Sequence, residues 1–350
     1  MSPELFVVLA CLACGAMLAW GFSCLPGSAW QFLACIPLTE ESPGRWRGLN
    51  LTWYGLLSAN AQALAAGLFL LLASALGLPW LAVAALLVTL CALCLAGSRV
   101  LAQLVENKAH TFTVGGASFL GMTLAPGLLW LINKGLEAGE QPSAPLIAWC
   151  AALVSSYALG EGLGRLACIS FGCCYGKPLE DCPAWLGRLF RNACFIFHGQ
   201  HKKIAYASGL QGRRVLPVQA LTAIIHVGAA WTGVYLFLRG HFQASLLVAG
   251  LVTQIWRVLS EFLRADYRGK GRLSAYQWMA LGTAAWLTAL AWLLPAAPAS
   301  RPQLSLGLSA LWAPGPMLLL QGIWLAAFLF FGRSRVTTSQ VSFALLRHLI

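Results

Sequence analysis

Glu161 and Arg165 stand four residues apart in Leu159-Gly-Glu-Gly-Leu-Gly-Arg165, and Arg257 and Glu261 stand four apart in Arg257-Val-Leu-Ser-Glu-Phe-Leu-Arg264. Both segments lie within or at the ends of long apolar runs. A charged side chain is expensive there and therefore informative. Spacing by four puts each acid and base on one helix face, close enough to pair and lower the cost of burial. If both helices end on the same side of a membrane, Arg165 and Arg257 can surround one anion. Their planar forks suit phosphate, which they bind with paired, charge-assisted hydrogen bonds. A phospholipid headgroup is the natural anion at that depth. The alternative is a set of helix-locking ion pairs in a transporter or scaffold. Gly160, Gly162, Gly164, Gly172 and Gly176 crowd one helix end, and Gly115-Gly116 with Gly121 opens another. Small residues of this kind permit close approach of a helix or a ligand.

The elements that must position these residues are membrane helices. Of 350 residues, 59% are hydrophobic and only 10% charged, too much apolar surface for one water-soluble core. The apolar residues fall in runs of about 20, the length that crosses a bilayer. These runs predict about nine transmembrane helices, near Leu5–Phe22, Leu51–Leu76, Trp80–Gly97, Gly115–Ile132, Leu146–Gly164, Leu216–Leu238, Ala244–Phe262, Ala275–Leu294 and Pro316–Phe331. The first run is expected to be a retained helix, because it carries Glu4, lacks a basic start and is not followed by a small-residue cleavage site. The fold class is thus an all-α integral membrane protein. Tyr175–Val215 is the one long polar connection and the candidate head segment. Pro295–Gly315 is a Pro-, Ala- and Ser-rich connection, and a short basic tail follows Gly332.

Twelve cysteines are many for this length. Cys11, Cys14, Cys91 and Cys94 fall within spans and read as small apolar residues. Cys168, Cys173, Cys174, Cys182 and Cys194 gather near the start of the head, where a disulfide is open to them if that side is oxidising. No paired CxxC or His/Cys set has the usual zinc spacing, so no metal and no cofactor is expected. His198 and His201 read as solvated head residues.

The string Gly164-Arg-Leu-Ala-Cys-Ile-Ser-Phe-Gly-Cys-Cys-Tyr-Gly176 resembles the signature of the prolipoprotein diacylglyceryl transferase family. Other segments follow in that family's order. Trp53-Tyr54-Gly55-Leu56, Gly97-Ser98-Arg99, Gly115-Gly116-Ala117-Ser118-Phe119 and Leu216-Pro217-Val218-Gln219 are similar to its motifs. Arg257-x-x-x-Glu261-Phe262-x-Arg264 is the nearest match, and Ser274 with Gln277 echoes the opening of its last helix. The resemblance covers about Leu51–Leu294. It implies a seven-helix core at 51–294 with a lateral opening to lipid and a head at 175–215, extended by one helix at each end, in 1–50 and 295–350.

Members of that family move the diacylglyceryl group of phosphatidylglycerol onto the thiol of a lipobox cysteine in a prolipoprotein, releasing glycerol 1-phosphate. The resemblance assigns catalysis to Arg165 and Arg257, with Glu261 orienting Arg257. It assigns substrate binding to Tyr54, Arg99, Gly115, Gly116, Ser118, Gln219 and Arg264. The departures are equally specific. The family histidine after Ser118-Phe119 is Leu120, the signature asparagine and glutamate are Cys168 and Cys173, and a tyrosine-glutamate pair is Leu221-Thr222. The phosphate-holding half is therefore expected to be kept and the acceptor-handling half rebuilt, for the same thiol or another acceptor. Glu161, where the family usually has an apolar residue, is a candidate replacement base or a simple partner for Arg165. Cys173 and Cys174 are weaker candidates for a covalent lipid intermediate. A lipid-binding or lipid-moving protein without catalysis is the competing reading, and a cysteine-based redox protein a third.

The net charge of +12 is uneven. With nine spans, Arg45, Arg47, Arg99, Lys108, the head, Arg264–Arg272 and the tail share one side, whereas Lys134, Arg239 and Arg301 lie on the other. The positive-inside rule makes the richer side cytoplasmic. The family resemblance makes it periplasmic in the bacterial inner membrane, the orientation preferred because basic groups around an anionic lipid site serve the ligand. Anionic headgroups, not nucleic acid, are the expected partners of these charges.

Overall fold

The computed structural model describes residues 1–42, 45–106, 114–266, 272–295 and 301–333. Lys108, Arg268, Lys270 and the tail arginines Arg335 and Arg347 lie outside the described residues. Helix α1 (Pro3–Cys24) leads into a hairpin of β1 (Phe32–Ser42) and β2 (Arg45–Thr52). Four long helices follow: α2 (Trp53–Ala75), α3 (Trp80–Glu106), α4 (Val114–Ala138) and α5 (Leu146–Phe171). The head holds α6 (Ala184–Leu189), β3 (Phe195–Ile196), α7 (Lys203–Ser208) and β4 (Arg214–Val215), with β3 and β4 paired antiparallel. The chain then returns through α8 (Val218–Leu238), α9 (Phe242–Leu263), α10 (Ala275–Leu293), α11 (Leu304–Leu311) and α12 (Pro314–Phe331).

The protein is an all-α integral membrane protein. Eight described helices, α1 to α5, α8, α9 and α12, are long and apolar enough to cross a membrane. The ninth expected span coincides with the helix α10, but Tyr276, Gln277, Thr283, Thr288 and three tryptophans leave it less apolar than those eight. Helix α5 is the central stave, with 78% of its most apolar stretch buried against 11% for α1 and α12. It packs against α2, α8, α9, α4 and α1. Close approach depends on two of its glycines. A Cβ on Gly160 would meet Ala65 Cβ at 2.8 Å, and one on Gly162 would meet Val227 Cγ2 at 2.8 Å. The terminal helices join the bundle by specific contacts. Glu4 of α1 pairs with Arg239 beyond α8 at 3.0 Å, and Trp324 of α12 donates to Asn60 of α2 at 2.7 Å.

Several helices overrun the apolar runs that announce them. Gly97-Ser98-Arg99 does not end α3, because Ser98 Oγ turns back to donate to Leu95 O at 3.2 Å and leaves the helical backbone undisturbed. Helix α2 starts two residues later than expected, since Leu51 and Thr52 complete β2 and the Thr52 hydroxyl caps the helix at Gly55 N. The hairpin and α11 lie in stretches read as irregular connections.

The head is fastened by a buried lysine that no motif announces. Lys202 is fully buried, and its Nζ donates to Leu25 O at 3.0 Å and Ser170 O at 2.5 Å, the carbonyl ends of α1 and α5. The last carbonyls of a helix have no partner within the helix, and the amine donates to one at each of these two ends. Burial pushes the Lys202 pKa down from 10.5 to about 7. Between those values the unfolded chain holds a proton that the folded chain has released, so stability rises with pH across that window and is lost as pH falls towards 7. Thermal unfolding in detergent at about pH 7 and about pH 9 should therefore show wild type gaining on Lys202→Met as pH rises, by up to about 1.4 kcal/mol per pH unit. A difference that does not change with pH would show that Lys202 is not buried in this way.

Candidate functional site

Tyr157, Glu161 and Arg165 follow one another at intervals of four on α5 and present a single polar stripe inside an apolar bundle. The Glu161 side chain is 3% exposed and forms an ion pair with Arg165. Its other oxygen lies 3.9 Å from Arg257 Nη1 of α9 and accepts from Tyr157 OH at 3.4 Å. Arg257 Nη1 donates to Tyr157 OH at 2.8 Å and to Ser118 Oγ at 2.7 Å. Ser118 passes its own hydrogen to Gly115 O at 3.0 Å. A Cβ at Gly115 would sit 2.6 Å from the Tyr276 ring, which would have to shift, and 3.1 Å from Arg257 Nη2, a tight contact. Gly116 is buried beside it.

Among the described residues, two guanidinium groups face one carboxylate, which leaves one positive charge over in the cluster. Arg165 Nε is buried and has no hydrogen-bond partner among the described residues. The arrangement can receive one monoanionic ligand, with a phosphodiester matching both charge and donor geometry.

The expected Arg257–Glu261 pair is not the one formed. Glu261 lies 3.3 Å from Arg264, while Arg257 turns to Glu161 in the bundle interior. A buried carboxylate between α5 and α9 attracts both nearby arginines, and Glu261, at the helix end, meets Arg264 one turn on. Arg264 is further committed to Asp266 by two parallel hydrogen bonds of 2.8 and 2.7 Å. Ser274 Oγ reaches Glu261 at 3.5 Å.

The C-terminus of α5 brings three thiols together. Gly172 takes the left-handed conformation at φ 70°, Cys173 N donates to Cys168 O at 3.0 Å, and Gly172 N donates to Ile169 O at 3.1 Å. This is a Schellman cap, in which the side chains at the positions of Cys168 and Cys173 are neighbours. Cys174 is also left-handed, at φ 56°, and its sulfur joins the other two. Gln219 Nε2 holds the turn by donating to Cys173 O at 2.8 Å. The Arg165 and Arg264 charges reach Cys174, and Tyr54, edge-on to Phe171 at 5.5 Å, lies within electrostatic reach of the three thiols and Arg165.

The fold thus gathers Glu161, Arg165, Arg257, Ser118, Gly115 and Gly116 in one place, with Tyr54 and Gln219 at the neighbouring turn and Glu261 with Arg264 as a second ionic group. Arg99 is exposed on α3, and no contact among the described residues ties it to the cluster. Leu120 packs towards Gly97. Four relevant residues escaped sequence reasoning. Tyr157 was signalled by its spacing of four from Glu161. His226 is a lone ionisable residue in the apolar run of α8. It is fully buried, near the Thr222 backbone and close enough to Arg165 and Arg257 to feel their charge. Asp266 carried no signal apart from its nearness to Arg264, and Lys202 none.

Comparison with known proteins places this geometry in context. A sequence profile of the prolipoprotein diacylglyceryl transferase family matches residues 45–293. A Clostridium tetani (strain Massachusetts / E88) protein named phosphatidylglycerol–prolipoprotein diacylglyceryl transferase is 30% identical over 137 residues, which are 37% of this chain. The similarity spans 47% of that protein's length.

Proposed function

The chain belongs to the prolipoprotein diacylglyceryl transferase family, and from this premise we propose that it is an inner-membrane enzyme that transfers the diacylglyceryl group of phosphatidylglycerol to an acceptor nucleophile. The observation that carries this reading is the Glu161 carboxylate shared by Arg165 and Arg257, with one positive charge left over inside the bundle. The reaction is a displacement at an sp³ carbon. The acceptor thiol gives up its proton to solvent, its sulfur lone pair forms the new C–S bond, and the C–O bond breaks with its electron pair on the departing phosphate. Charge grows on the phosphate as that bond breaks, and guanidinium groups fixed beforehand stabilise it without reorganising. Arg165 and Arg257 are the catalytic residues, and Ser118, Tyr157 and Gly115 fix Arg257.

Glu161 is best described as a positioning residue. A carboxylate engaged by two guanidinium groups is poorly placed to take a proton from an acceptor. The acceptor is a lipobox cysteine or a different nucleophile, because Leu120, Cys168, Cys173 and Leu221-Thr222 alter the half of the site that would handle it. Thr222 in fact serves packing, accepting from Trp256 Nε1 at 2.9 Å. Leu120, apolar and set against Gly97, favours a second reading in which the chain binds phosphatidylglycerol without transferring it.

Purified protein supplied with labelled phosphatidylglycerol and a lipobox peptide, or with cell extract as a source of other acceptors, should release glycerol phosphate. Arg165→Gln and Arg257→Gln should each lower release by about a hundredfold or more. Glu161→Gln should weaken lipid binding as well as release, whereas a general base would spare binding. Lipid retention without release from any acceptor would replace the transferase reading with the binding one.

The head and the arginine cluster are assigned to the periplasmic side, where the basic surface serves the lipid ligand. Trp185 of the head is 66% exposed. In intact cells, Trp185→Cys should gain labelling by a membrane-impermeant maleimide relative to wild type. Gain of labelling only after the membrane is opened would reverse the orientation.

A further inference from the structure

The Sγ atoms of Cys168, Cys173 and Cys174 all lie within 4.8 Å of one another. Zinc–sulfur bonds of about 2.3 Å at tetrahedral angles place ligand sulfurs about 3.8 Å apart, so a movement of about 1 Å at most would close the three around one ion. Their spacing of five and one is not that of a sequence-coded zinc motif, because the Schellman turn of α5, not a knuckle of paired cysteines, brings them together. The backbone that carries them is held on several sides. Besides Gln219 at Cys173, Ala265 N donates to Tyr175 O at 3.1 Å and Lys177 N to Leu263 O at 2.9 Å, which ties the turn to the end of α9.

We propose that Cys168, Cys173 and Cys174 form a three-thiolate site for a soft, filled-shell metal ion of the zinc(II) type, with a fourth coordination position open. Thiolates are the preferred ligands of such ions, and three protein ligands with one open position are the arrangement of reactive zinc sites. Three thiolates around a dication carry one net negative charge, and the Arg165 and Arg264 guanidinium groups lie within electrostatic reach of Cys174. Two of the three ligands, Cys168 and Cys173, occupy positions at which this chain departs from its family's signature, in the half of the site that would handle the acceptor.

The role of the open position rests on the transferase reading. It would receive the acceptor thiol, whose proton passes to solvent on coordination, because a metal-bound thiol is deprotonated. The bound sulfur then supplies the electron pair for the C–S bond, and the phosphate of the donor lipid leaves with the pair of the broken C–O bond. This assigns the metal the deprotonation that the family histidine would serve at the position of Leu120. A covalent lipid on one of these cysteines is not a useful intermediate, since a thioether sulfur is a poor leaving group.

The test uses the full chain, purified under reducing conditions, freed of metal and titrated with Zn²⁺ and with Co²⁺. One equivalent should bind per chain, and the cobalt form should show a sulfur-to-metal charge-transfer band. Cys168→Ser, Cys173→Ser and Cys174→Ser should each weaken Zn²⁺ binding by about tenfold or more and diminish the band, while Cys182→Ser leaves both unchanged. Retained phosphatidylglycerol binding and unfolding temperature would show that these variants fold. A peptide thiol should shift the cobalt spectrum, and the same peptide with serine for cysteine should not. Failure of the chain to bind either ion, full retention of binding in the three variants, or a native disulfide among the three cysteines would overturn the site. Metal binding with no response to the peptide thiol would overturn the open position alone. None of these readings depends on glycerol phosphate release, so they stand apart from the test of the transferase reaction.

Discussion

Two guanidinium groups inside a bundle of membrane helices need negative charge, and Glu161 supplies one charge between them. Removing one member of such a buried set leaves its partner uncompensated, a loss of about 3–5 kcal/mol in comparable sites. Much of the surrounding structure serves this one interaction. Helix α5 is central because it carries Glu161 and Arg165, and α9 must pack on it for Arg257 to arrive. Gly115 makes room for Arg257, Ser118 and Tyr157 take up its hydrogens, and Gly162 lets α8 close over the back of α5. On the proposed reading, an anionic ligand would balance the positive charge that the described residues leave over.

The same helix end also connects the site to the head. Ser170 O receives the buried Lys202, Gly172 turns the chain, and Cys168, Cys173 and Cys174 meet around that turn. Arg264 crosses from α9 to the same region, where Glu261 and Asp266 hold it. On the proposed reading, the arginines would hold the lipid phosphate and the thiols, at the end of the same helix, would face the acceptor.

The membrane architecture was legible in the apolar runs, because lipid imposes a length and composition that a sequence displays directly. The site was legible in part. Glu161, Arg165 and Arg257 stood out because charge among apolar residues is rare, and the fold does bring them together. Which carboxylate Arg257 would meet was not legible, since spacing by four favours Glu261 and only the packing of α9 on α5 offers Glu161. His226 is rare by the same rule, a lone ionisable residue in the apolar run of α8. The thiol cluster could not be read from spacing, because it depends on a left-handed glycine cap followed by a second left-handed residue, Cys174. Lys202 looked like one of six basic head residues between Arg188 and Arg214, and only the fold shows it buried.

The central claim is that Arg165 and Arg257, which share Glu161 as their one carboxylate among the described residues, hold a monoanionic phosphodiester. Native mass spectrometry of the detergent-purified protein with equimolar phosphatidylglycerol and phosphatidylethanolamine tests this most directly. Wild type should retain phosphatidylglycerol in clear preference, and the preference should disappear in the Arg165→Gln, Arg257→Gln double variant while the protein stays folded. Equal retention of the two lipids by wild type, or an unchanged preference in the double variant, would contradict the account.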